Sequence, residues 1–150
     1  MNYCLEVWGK CTKNVFSRIE KLQKRAIRII DSSSWRAPSK PIFNKLKIMT
    51  IDKIYMYKIG ILMYKYDKSI LPPIYDNIFK KTSQIHSYNT QQFFYVPMIL
   101  NPKRQSTVRY RGPIIGNHIF KKLDMACKSW ALLTFKSHLR NYLLKNDISL

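Results

Sequence analysis

"IDKIYMYKIGILMYKYDK", residues 51–68, is the stretch on which the fold turns. Ile51, Ile54, Tyr55, Ile59, Leu62, Met63 and Tyr66 recur at helical steps, but they cover more than one side of the helix. A helix that is apolar on several sides is one that neighbours surround. The segment therefore reads as the central packed helix of an α-helical protein. Thr50 stands where an N-cap belongs, and Asp52 falls in the positive first turn. Lys58 and Lys65 break the apolar run well short of the roughly 18 residues that a membrane span needs. The tyrosines suit core packing with hydroxyls at the rim better than they suit base stacking.

Towards the N-terminus, "TKNVFSRIEKLQKRAIRIID" (residues 12–31) has the clearest period in the chain. Val15, Ile19, Leu22, Ala26 and Ile30 form one apolar stripe, with Thr12 or Asn14 as cap and "DSSSW" as the stop. The opposite side carries Arg18, Lys21, Arg25 and Arg28 at the same spacing. Such a row either faces phosphates or is a solvated face, and the sequence leaves both open. "APSKPIFNKLKI" (37–48) reads as a proline-framed connection with a single short helical turn.

Towards the C-terminus, "LPP" (71–73) stops the central helix and "PIYDNIFKK" (73–81) opens a short helix behind its proline. "HSYNTQQFFYVP" (86–97) then follows without a single charge. Phe94, Val96 and Met98 alternate with Phe93, Tyr95 and Pro97. After the turn-like "NPKRQ", "STVRYRG" alternates again, Thr107 and Arg109 against Val108 and Tyr110. The pattern predicts a small β-hairpin around residues 93–111, with Pro97 at an edge or strand end and "RGP" closing it. "SWALLTFKSHLRNYLLK" (129–145) returns to helix through Leu132, Phe135, Leu139 and Tyr142, with Ser129 as cap. The expected fold is mostly α, a helical domain with one hairpin.

Composition narrows the chemistry. Lys and Arg total 27 against 8 Asp and Glu, a net charge of +19. An excess of this size repels itself unless a polyanion shares the surface, which makes nucleic acid the first partner to consider and an anionic membrane the second. "MNYCLEVWGK" has no basic start followed by an apolar run, so no signal peptide is expected. Cys4, Cys11 and Cys127 are sparse and odd in number, as reduced thiols of an intracellular protein would be. Their spacing, with His86, His118 and His138 scattered, matches no tetrahedral metal set, and Cys127 with a histidine is an unspecific nucleophile pattern. The carboxylates form no local pair of the kind that holds magnesium, so neither catalysis by this chain alone nor a cofactor or small-molecule substrate is expected. One tract stands out. Between Asp76 and Asp124 there is no acidic residue, while Lys80, Lys81, Lys103, Arg104, Arg109, Arg111, Lys121 and Lys122 are present. Arginine beside tyrosine in "VRYRGP" suits a phosphate next to a stacked base; the alternative is Tyr110 packed inward with solvated arginines.

"YCLEVWGK", "LQKRAIRII", "PIFNKLKIMTIDKIYMYKIGILMYKY", "LPPIYDNIF", "HSYNT", "VRYRGPIIGN" and "FKSHLRNYLL" occur in that order. The ordered series, which spans nearly the whole chain, resembles the C-terminal region of non-LTR retrotransposon reverse transcriptases of the jockey and LINE-like kind. The resemblance implies that the uncharged stretch joins a helical part beyond the polymerase thumb to the last helices. It also implies a fragment of an RNA-directed DNA polymerase in which the catalytic palm and the endonuclease lie upstream of the matching region. Two residues depart from the family pattern. Gln91 stands where the family has arginine after "HSYNT", and Gly116 where it has tryptophan. Loss of that ring is expected to leave a gap and to weaken the helix.

On this basis residues 1–81 are expected to form the helical part following the thumb, 82–113 a non-helical segment with the hairpin, and 114–150 the C-terminal helices. The expected role is sequence-tolerant binding of RNA or DNA through phosphates. Arg18, Lys21, Arg25 and Arg28 would form one site, and Lys103, Arg104, Arg109 and Arg111 the other. The alternatives are a module docking on a polymerase domain or on itself, and a transposon relic without function.

Overall fold

The computed structural model describes residues 5–8, 13–87, 92–123 and 129–146. Among them the chain is mostly helical, with almost no strand. The helices are α1 (Leu5–Trp8), α2 (Lys13–Ile30), α3 (Ser39–Leu46), α4 (Ile51–Asp67), α5 (Pro102–Gln105), α6 (Val108–Lys122) and α7 (Leu132–Lys145). Two 3-10 turns, Pro73–Asn77 and Thr82–Gln84, lie between α4 and α5.

α4 is the central helix. It packs most extensively on α6, then on α7, α1 and α2. Tyr55, Ile59, Met63 and Tyr64 are buried on it, together with Leu5, Phe79, Phe94, Ile115, Ile119, Phe120, Phe135 and Leu139. The three stretches 1–81, 82–113 and 114–150 thus contribute to one core. The Tyr64 ring stacks on Phe135 at 4.2 Å between centroids, and its hydroxyl donates to the Trp130 carbonyl. Gly60 marks the closest approach: a Cβ there would stand 2.7 Å from Ile119 Cδ1 and 2.8 Å from Leu139 Cδ2.

Helix ends follow local chemistry only in part. Thr50 is the N-cap of α4, but its side chain makes no capping bond. Gln23 of α2 does that work across the fold. Its Oε1 accepts from the Ile51 N–H at 2.9 Å and its Nε2 donates to the Met49 carbonyl at 2.9 Å. α7 begins behind Ala131 rather than Ser129, and an alanine at the N-cap makes no side-chain capping bond. The cap expected from Thr12 lies outside the described residues. Ser32, Lys47 and Ser69 each turn left-handed after α2, α3 and α4, with φ of 53°, 51° and 54°. In each case the next N–H reaches back to the last turn, as Ser33 does to the Arg28 carbonyl at 2.9 Å. Satisfying orphan carbonyls offsets the left-handed cost of about 1–2 kcal/mol. α3 is longer than the single turn expected, because Pro41 sits in its first turn, where the missing N–H is not used.

The expected hairpin around residues 93–111 is not formed. Pro102–Gln105 is a short helix whose N-cap Asn101 accepts from the Lys103 N–H, and Val108 opens α6. Val108, Gly112, Ile115 and Ile119 set a four-three-four period toward the core, and the two-residue alternation over "STVRYRG" is only its first turn. Gly-Pro did not close a hairpin either: Pro113 lies inside α6. Gly112 has no Cβ to crowd the proline ring, which eases the helical geometry that residues before proline resist. α-Helix therefore appears from Pro102 onward, inside the expected non-helical segment 82–113. Among the described residues, what remains of strand is one antiparallel bridge, Lys81 with Phe94. The Thr82 N–H donates to the Phe93 carbonyl and the Tyr95 N–H to the Lys80 carbonyl, both at 3.0 Å.

Gly116 leaves no gap. A Cβ there would stand 2.9 Å from Phe94 Cδ2 and 3.1 Å from Met63 Cγ, so the Phe94 ring fills the space. The next residue fixes that ring's backbone: Asn117 Oδ1 accepts from the Phe93 and Phe94 N–H groups at 3.0 and 2.8 Å, and its Nδ2 donates to the Phe94 carbonyl at 2.8 Å. Part of the uncharged stretch is thus a strap stapled to α6 by one amide. Residues 88–91, with Gln91 and most of "HSYNT", lie outside the described residues.

Candidate nucleic-acid interface

α2 turns inward through Phe16, Ile19, Gln23 and Ile27, not through the whole stripe expected from its period. Val15, Leu22, Ile29 and Ile30 are exposed, Leu22 by 49% and Ile29 by 79%. At about 100° per residue, Arg18, Lys21 and Arg25 occupy the neighbouring line, and all three are exposed. Arg28 differs. It is half-buried, donating from Nε to the Ala37 carbonyl at 2.9 Å and from a terminal nitrogen to the Lys24 carbonyl at 3.3 Å. Arg28 braces the turn after α2, and the outward row is the other three.

The second expected set divides in a similar way. Lys103 and Arg104 are exposed on α5, and Arg109 is exposed in the first turn of α6, which carries no acid. α5 packs on α6, so these three cations share one helix pair. Arg111 instead is half-buried, and its Nε is sealed from solvent without a hydrogen-bond partner. Burial pushes the Tyr55 phenol up to about 12, with the Arg111 charge opposing. Arg111 therefore belongs to the α4–α6 boundary. Tyr110 is half-buried. The two basic sets ride on different helices, α2 and the α5–α6 pair, with α4 touching both α2 and α6.

Four of the six carboxylates among the described residues lie against lysines. Asp31 meets Lys45 at 2.6 Å, Asp67 meets Lys81 at 3.1 Å, Glu20 meets Lys24 at 2.5 Å, and Glu6 lies 4.0 Å from Lys58. Lys81 also donates to the Asp67 carbonyl at 2.9 Å, placing a cation on the negative end of α4. The hydrogen bonds from Lys45 and then Ser33 hold the Asp31 carboxyl below its ordinary value. Among the described residues no three His, Cys, Asp or Glu gather as a metal would need. Cys4, Cys11 and Cys127 lie outside the described residues. His138 stacks on Trp130 at 4.3 Å, and His86 packs near Tyr95 at 6.3 Å. No described helix is long and apolar enough to cross a membrane.

Sequence reasoning missed one arrangement. Lys80, Tyr95 and Arg109, distant along the chain, line a common groove. The only hint in the sequence is the acid-free tract that contains all three. Compared with known proteins, the chain matches no family model, no curated protein and no solved structure.

Proposed function

We propose that this chain is the post-polymerase part of a non-LTR retrotransposon reverse transcriptase, and that it holds RNA or DNA by the phosphate backbone without reading base order. The observation that carries the proposal is the acid-free tract between Asp76 and Asp124, from which Lys80, Lys103, Arg104 and Arg109 project as exposed cations. Arg18, Lys21 and Arg25 add a second exposed row. Cations spaced along a helix meet successive phosphates without reaching base edges, so binding of this kind tolerates any sequence. The proposed role is binding alone, with no catalytic step.

Salt titration of binding to single-stranded RNA tests the proposal. Three neutralised phosphates on α2 contribute a slope of about −2 in log K against log salt. Changing Arg18, Lys21 and Arg25 together to Gln is expected to remove that share and leave the circular dichroism spectrum intact, because Phe16, Ile19 and Ile27 are untouched. An unchanged slope in the folded triple variant means that the α2 row is only solvated.

A second reading rests on the exposed apolar residues beside that row. Val15, Leu22 and Ile29 suit docking on a polymerase domain, with the cations at the rim of the contact.

A further inference from the structure

The groove that joins Lys80, Tyr95 and Arg109 encloses about 300 Å³, at the small end of the range for ligand clefts. Ile78, Ile85, Tyr95 and Pro97 give it an apolar, partly aromatic lining, and Lys80 and Arg109 supply two positive charges. Neither cation forms an ion pair among the described residues, and both are exposed. An apolar lining with one aromatic ring beside two cations suits a ligand with a planar ring on one side and negative charge on the other.

The lining is held in place before any ligand arrives. The Tyr95 N–H donates to the Lys80 carbonyl at 3.0 Å, which ties the ring-bearing residue to the cation-bearing one. The preceding residue, Phe94, is fixed on α6 by Asn117 and buried against Phe120 in an edge-on contact at 5.3 Å. His86 packs against the Tyr95 ring. Arg109 stands in the first turn of α6, the positive end of a helix of 15 residues. Groups already ordered lose little entropy on binding.

Building on the nucleic-acid reading above, we propose that this groove takes one unpaired nucleotide of a single strand, with its base against the Tyr95 ring and its phosphate between Lys80 and Arg109. A duplex hides its base faces in the stack, so the groove gives the protein a preference for single strands. Stacking on an aromatic ring tolerates every base, since each has a π-face, so the groove is expected to accept any base.

Anisotropy of a fluorescein-labelled oligouridine, read beside an abasic strand of the same length, tests the inference. Tyr95→Leu is expected to weaken oligouridine binding about 5- to 150-fold, the usual effect of losing one aromatic–base stack. Tyr95→Phe keeps the affinity, and the abasic strand binds the wild type and Tyr95→Leu alike. Lys80→Gln with Arg109→Gln lowers the salt slope by about 0.7, one phosphate's worth for a single strand. These two side chains are exposed, so the double variant tests the groove even if Tyr95→Leu fails to fold. The inference is overturned if the wild type binds oligouridine and either the folded Tyr95→Leu protein or the double variant binds it with unchanged affinity and slope. Phosphate binding elsewhere then survives. If the wild type shows no salt-dependent binding to either strand, the broader nucleic-acid proposal falls as well.

Discussion

α2 and α4 are almost equal in length, 18 and 17 residues, yet they stand in opposite relation to the core. α2 has the clean amphipathic pattern and leaves Val15, Leu22, Ile29 and Ile30 in solvent. α4 has apolar residues on several sides and buries Ile51, Tyr55, Met56, Ile59, Met63, Tyr64 and Tyr66. A clean stripe records that a helix has one wet side; it does not guarantee that the whole dry side is covered. Burial depends on how many neighbours arrive. α4 has α1, α2, α6 and α7 around it, whereas α2 meets chiefly α3 and α4.

The same truncation on each helix tests that difference most sharply. Ile59 is 0% exposed, and Ile59→Ala is expected to cost about 2–5 kcal/mol in urea or guanidinium unfolding. Leu22→Ala on α2 is expected to cost about 0.5 kcal/mol. Equal losses would mean that α2's outer stripe is covered after all, by a second copy in solution, and a concentration-dependent midpoint would identify that case.

A smaller effect is expected where the strap meets α6. Asn117→Ala strips the acceptor from two N–H groups and the donor from one carbonyl, and is expected to cost about 1–3 kcal/mol. It also frees Phe94 from its seat on Gly116, so protection of the Phe94 amide in hydrogen exchange should drop with it. A loss confined to a few tenths would show that the bridge between Lys81 and Phe94 holds the strap without Asn117.

The smallest expected effect concerns pH. Burial first, and the charge of Lys122 second, hold the His118 imidazole below its ordinary value of 6.5. The folded state therefore disfavours the proton that the unfolded chain accepts more readily. The stability tied to this group is complete above the unfolded value of 6.5. It is lost as pH falls through that value and on through the lower folded one. Melting temperature should decline across this window, and His118→Gln should flatten the decline. Asp31 acts in a separate window. Its folded value is lowered from 3.8 by Lys45 and Ser33, so its contribution is present above 3.8 and disappears only in stronger acid.

Much of the helical framework was legible because its signals are local. The several-sided apolar pattern of residues 51–68 pointed to a central helix, and the prolines at 72 and 73 to the break after it. The hairpin expectation failed because seven residues of alternation cannot be told from the first turn of a helix whose period emerges only at Ile115 and Ile119. For the basic residues, the sequence supplied charge and spacing but not commitment. Arg28 and Arg111 look like Arg25 and Arg109 on paper, and only the positions of Ala37 and Tyr55 separate them.

The sequence by itself determined the helical class, the large positive charge, the centrality of α4 and the tract without acids. These follow from composition and from periods within a few turns of helix. Tertiary structure alone decided which side of α2 faces inward, that Gln23 caps α4 from another helix, and that Asn117 staples residues 93 and 94. It also brought Lys80, Tyr95 and Arg109 to one groove. Each of these is a meeting of residues far apart in the chain, set by where the backbone returns after a turn, and no local pattern encodes that return.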